Sequence, residues 1–195
     1  PQSDTAANLP PSSSDWPSLL SVISKFKSAP PGLPSSIRIP YPLVDNGTLQ
    51  AGEYGGWLGS SYNPIVIRTP KGKEFGGVSR DLGASRIDPK EAIDRKVLSS
   101  RLGLLGHLDQ FQGIGNSVTD MDYFRNLATD MLMSPNVRNA FDLDLESQAT
   151  KDKFGNHICG QSMLLARRLV QAEVPIVTVA CSAGDLNGSA GDHWD

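Results

Sequence analysis

Asp185, Asp192, His193 and Asp195 fall within eleven positions near the C-terminal end of the 195-residue sequence. Carboxylate oxygens are hard ligands and imidazole a borderline one, so this set suits Zn, Mn, Mg or Ca. A cation held there could act as a Lewis acid and lower the pKa of a bound water or a nucleophilic hydroxyl. The cluster follows the apolar run Ile176–Ala180, which reads as a strand begun after Pro175. In open α/β sheets, ligands and metals bind in the crevice outside the strand carboxyl ends. The same residue types also make an ordinary solvated acidic loop, and type alone does not choose between the two.

Other chemistry-bearing residues carry weaker signals. Gly155 to Ser162 (GNHICGQS) has the spacing of a Walker A loop, but glutamine stands in place of the lysine that must reach the phosphates. No strand is expected to feed it, so no nucleotide cofactor is expected, and the glycines read as a helix end and a close helix contact. Gly113-Ile-Gly115 lacks both a third glycine and a preceding strand. No GxSxG elbow occurs, which removes support for an α/β-hydrolase serine. The Cys-x-Pro-x-Arg pattern of cysteine-oxidising sulfatases is absent too. His107 sits in a leucine-rich helix and reads as a surface or satisfied core residue; His157 opens the last helix. Cys159 and Cys181 have no zinc spacing and read as two small buried hydrophobes rather than a disulfide. Asn46-Gly-Thr48 and Asn187-Gly-Ser189 are glycosylation-type triplets that arise often by chance, and Asn-Gly is an ordinary turn signal.

The elements that must position these groups follow from periodicity and caps. Residues 1–15 are Pro/Ser-rich and read as a surface connection. Asp15 is expected to N-cap a helix over 16–27, with Trp16, Leu19, Leu20, Val22, Ile23 and Phe26 as its apolar face. Ile37–Ile39 is a short extended piece, kept by Pro40 and Pro42 from becoming a long central strand. Residues 46–63 form a glycine-rich loop with Tyr54, Trp57 and Tyr62, favoured as a tight packing turn over a binding rim, followed by a strand at Ile65–Ile67. Asp88-Pro-Lys-Glu91 starts a helix to about Phe111. Further helices are expected at 119–133, in a short turn after Ser134-Pro135 through Ala140, ending at Phe154-Gly155, and over 157–172. In the last, Ile158, Leu165, Leu169 and Ala172 form one stripe, with Arg167 and Arg168 off it. The unbroken apolar run Ile176–Ala180 is expected to be buried on both faces.

Composition limits the function classes. The 18 basic and 21 acidic side chains give a net charge of -3 without long runs of either sign. That is neither the basic stripe of a nucleic-acid binder nor a basic amphipathic membrane helix. No apolar run approaches the roughly 18 residues needed to cross a bilayer. No signal peptide is visible, and the first residue is Pro1.

The string GQSMLLARRLVQAEVPIVTV (160–179), followed by Trp194-Asp195, resembles the core signature of the bacterial family known as domain of unknown function 1501. DWPSLLSVISK at 15–25, GGWLGSSYNPIVI at 55–67, the helix with Arg95 and Leu104–Leu108, and AFDLDLE at 140–146 agree in order, so the resemblance covers almost the whole chain. It implies the alkaline-phosphatase-like, or sulfatase-like, superfamily: an α/β/α sandwich in an extracytoplasmic (periplasmic or secreted) protein. The implied activity is metal-dependent hydrolysis of phosphate or sulfate esters, with a small anionic ester or a sulfated or phosphorylated glycan as substrate. On this reading 16–195 is an incomplete domain, with a helical and loop-rich insertion over about 28–150 and a core helix–strand unit at 155–195. The nucleophile is expected upstream of Pro1 and further metal ligands beyond Asp195. Asp195 alone maps onto the family's Trp-Asp-Thr-His motif. His193 and Asp192 precede the matched pair in a longer loop, and stay candidates on ligand chemistry only. A non-catalytic binding or structural protein that keeps the fold is the alternative.

Overall fold

The computed structural model describes residues 11–42, 44–45, 48–68, 97, 100–101, 103–104 and 119–180. Helix α1 (Leu19–Phe26) leads to strand β1 (Ser36–Ile39), then to the hairpin β2 (Val44–Asp45) and β3 (Thr48–Leu49). Two 3-10 turns, Gly56–Leu58 and Ser60–Tyr62, precede β4 (Ile65–Val66). Helices α2 (Thr119–Met133) and α3 (Pro135–Phe141) follow, then a 3-10 turn at Leu143–Leu145, α4 (Gln148–Phe154), α5 (Ile158–Gln171) and strand β5 (Ile176–Val179). Residues 97, 100–101 and 103–104 are helical, inside the span predicted from Asp88; the rest of that span lies outside the described residues.

A three-stranded parallel sheet of order β4-β1-β5 organises the molecule. β1 is therefore central, although the prolines after it do keep it short. Pro40 and Pro42 lie past its last pairing, where a missing N–H breaks no ladder bond. Successive strand residues face opposite sides of a sheet, and in-register neighbours share a side. Ser36 and Arg38, in register with Ile176 and Thr178, face α1: the Ser24 hydroxyl donates to Ser36 Oγ at 2.8 Å. Ile37 and Ile39, both at 0% exposure, face the other way. There they join Val137 and Phe141 of α3 and Ile158, Leu165 and Leu169 of α5 in the main core. The result is a mixed α/β arrangement with helices on both sides of a small parallel sheet.

Ser134 N-caps α3, its side chain accepting from the Val137 amide, with Pro135 in the first turn, as the sequence predicts. α4 ends at Phe154 against Gly155, also as predicted. Two expectations differ. The first helix starts at Leu19, capped by Ser18 rather than Asp15: the Ser21 amide donates to Ser18 Oγ at 3.1 Å. Trp16 precedes Pro17, and a residue before proline is pushed out of helical conformation, so the helix cannot start there. Half of its expected apolar face is solvent-facing, with Trp16, Leu19 and Phe26 at 76%, 68% and 79% exposure, while Leu20 is buried. Second, β5 is half-buried along its length and lies at the edge of the described sheet, so its apolar run is not covered on both faces by described residues. Arg168 lies off the apolar stripe of α5, as the sequence predicts, and is nearly buried there. Its guanidinium pairs with Glu146 at 2.6 Å and donates to the Ala140 and Asn139 carbonyls. Those carbonyls belong to the last turn of α3, where helical partners run out.

Candidate functional site

The carboxyl edge of the sheet is where the topology directs a ligand. The Ala180 amide donates to the Ile39 carbonyl at 2.7 Å, which holds the outgoing chain beside the end of β1. On the other flank the Ile67 amide donates to the Arg38 carbonyl at 2.9 Å. Asp185, Asp192, His193 and Asp195 follow Ala180 in the sequence and lie outside the described residues, as do Cys181, His107, Asn46, Gly113 and Gly115.

Arg38 and Glu53 form an ion pair beside this edge, and neither stands out in the sequence. Arg38 Nη1 donates to Glu53 Oε1 at 3.0 Å and Nε lies 2.9 Å from Oε2, with the two side chains 13% and 10% exposed. Nε also donates to the Tyr41 carbonyl at 3.0 Å, tying the pair to the turn after β1. A carboxylate gripped through both oxygens by a guanidinium is a structural anchor. The one signal that could have exposed the pair was a lone charge inside the apolar stretch Ile37–Ile39. Beside Arg38 in register, Thr178 Oγ1 is buried with no hydrogen-bond partner.

His157 has a specific local task. Its Nδ1 accepts the Gly160 amide at 3.1 Å, making it the N-cap of α5. The Walker-like run thus joins helix to helix, not strand to helix. A Cβ on Gly160 would collide with the carbonyl oxygens of Phe154 and Gly155, so α5 can begin tight against the end of α4 only with glycine there. Ser162, two residues on, is fully buried and its hydroxyl is unpartnered. Cys159 sits half-buried in α5.

The aromatic glycine loop is a packing turn with an open face. The Ser18 amide donates to the Tyr54 carbonyl at 2.8 Å and the Trp57 amide to the Asp15 carbonyl at 3.2 Å. Gly56 has φ 50°, and a Cβ there would strike the Asp15 backbone. Trp57, 56% exposed, meets Trp16 edge to face with ring centroids 6.1 Å apart.

Among the described residues no group of three His, Cys, Asp or Glu side chains could hold a metal. Nor is any helix among them long and apolar enough to cross a membrane. A family model described as "Protein of unknown function (DUF1501)" matches residues 2–195. No curated protein and no solved structure matches the chain.

Proposed function

Given that this chain belongs to the DUF1501 family, we propose that it is part of an extracytoplasmic, alkaline-phosphatase-like or sulfatase-like hydrolase that cleaves phosphate or sulfate esters with a divalent metal. The observation that carries this reading is the course of the chain at the sheet. β5 runs parallel to β1 and hands the chain over at the carboxyl edge, at Ala180, to the segment that contains all four candidate ligands. The donor chemistry of that segment suits a divalent cation: Asp195 is the foremost candidate ligand, and His193 and Asp192 are further candidates that would add nitrogen and oxygen donors beside it. When bound, the cation would polarise the ester oxygen and lower the pKa of a nucleophilic hydroxyl. Arg38, locked to Glu53 and to the Tyr41 carbonyl, stiffens the floor beside this edge. The substrate is a small anionic ester or a sulfated or phosphorylated glycan.

The test is hydrolysis of 4-nitrophenyl phosphate and 4-nitrophenyl sulfate by the full-length protein, with its metal content measured alongside. Chelation is expected to abolish turnover. Asp195→Ala should lower it by about a hundredfold or more, since even outer-shell partners of a metal are worth 10–100-fold. Undiminished turnover in Asp195→Ala would remove that residue from the mechanism, and a full-length protein with neither metal nor turnover would remove the hydrolase reading.

A second reading has its own observation. The exposed Trp16–Trp57 pair is a contact surface of the kind used by a non-catalytic binding protein that retains the fold. On that reading Trp57→Ala weakens partner binding while metal is irrelevant.

A further inference from the structure

A cavity of about 420 Å³ opens at the opposite, amino edge of the sheet, between the end of α1, the 28–36 loop, the Ser60–Tyr62 turn and α2. Its size falls in the range of small-molecule pockets. Leu33, Phe124 and Leu127 supply apolar wall, and Tyr123 stands edge to face with Phe124 at 5.3 Å.

The polar lining is one-sided. Among the described residues no Asp or Glu lines the cavity and Lys25 is the one charged lining side chain, its Nζ 5.9 Å from the centre of the Tyr62 ring. Asn63 Oδ1 accepts the Gly55 amide at 2.6 Å, which leaves the NH2 half of that side chain as the group still able to donate. Ser35 Oγ accepts the Ala29 amide at 3.3 Å, so its hydroxyl proton is likewise left to give. The Tyr123 phenol, held above its ordinary value of 10.0 by burial and then by the neighbouring Tyr62, keeps its proton and can donate. Among the described lining residues, one cation joined by hydroxyl and amide groups that can donate, without a carboxylate, is complementary to negative charge.

We propose that this cavity binds a small organic anion, an acid group carried on an apolar body, with Lys25 holding the acid group and Phe124 and Leu127 packing the body. The site is separate from the carboxyl edge and does not depend on what happens there.

Benzoate, with uncharged benzyl alcohol as control, is the probe, titrated into the full-length protein by calorimetry. Benzoate is expected to bind saturably, and Lys25→Gln to weaken it about tenfold or more, as loss of a charge-assisted hydrogen bond does. Lys27→Gln, which removes the same charge two residues away from outside the lining, should leave the affinity unchanged. Asp195→Ala should also bind benzoate as the parent does. Absence of saturable binding, equal binding of benzyl alcohol, or equal loss in Lys27→Gln overturns the proposal. Loss in Asp195→Ala with retention in Lys25→Gln overturns it as well, by assigning the probe to the carboxyl edge.

Discussion

At the residue scale, three polar side chains of types that could do chemistry are engaged in holding the structure together. Glu53 grips Arg38, Arg168 closes the last turn of α3, and His157 caps α5. Each is a residue type that could do chemistry, and in each the neighbouring atoms decide otherwise. His157 illustrates the limit of reading by type: an imidazole at a helix start has the same letter whether it binds metal or accepts an amide. Tyr123 yields a pH-dependent prediction. Its phenol holds its proton more tightly in the folded chain than in the unfolded one. Above pH 10, up to the raised folded value, the unfolded state loses this proton first, so it binds fewer protons than the native state and stability falls as pH rises. Tyr123→Phe should therefore flatten the decline between the parent's stability at pH 9 and at pH 11, read as urea midpoints. A decline of the same steepness in the variant would show that Tyr123 does not couple to folding.

At the element scale, caps and close approaches set where helices begin. Ser18, Ser134 and Ser147 each accept an amide in the first turn of their helices, and His157 does so with a ring nitrogen. Ser134-Pro135 and Phe154-Gly155 were legible because those cap signals are local. The start of α1 was not, because two cap residues, Asp15 and Ser18, compete and Pro17 between them decides for the second. Asp15 is instead used in a turn, its carboxylate accepting the Ser12 amide at 2.7 Å. Truncating an N-cap costs about 0.5–2 kcal/mol. His157→Ala should lose about that much in urea unfolding, and His157→Asn, which keeps an acceptor in reach, should recover most of it. Failure of asparagine to restore stability would show that the ring's packing over Gly155, rather than the cap, is what matters.

At the scale of the whole molecule, one parallel sheet with its apolar side turned to α3 and α5 carries the core. Leu165, at 0% exposure, sits in that core, while Leu19 is 68% exposed on α1. Emptying a core leucine position costs about 2–5 kcal/mol, whereas a surface change usually stays within about 0.5 kcal/mol. Leu165→Ala should thus lower the urea midpoint steeply and Leu19→Ala barely; a large loss in Leu19→Ala would mean that α1 is covered by another part of the protein. The sequence alone settled the mixed α/β class, the helices from Thr119 to Gln171, the two glycines of the Walker-like run as packing devices, and membership in the family, because periodicity, caps and an ordered string of motifs act within a few residues. Only the tertiary structure decided that β1 is the central strand, that α1 turns much of its apolar face to solvent, that Arg38 and Glu53 pair, and that a donor-lined cavity lies at the amino edge. These depend on which distant segments meet, and contacts between residues such as Arg38 and Glu53, or Ile39 and Ala180, leave no periodic trace along the chain.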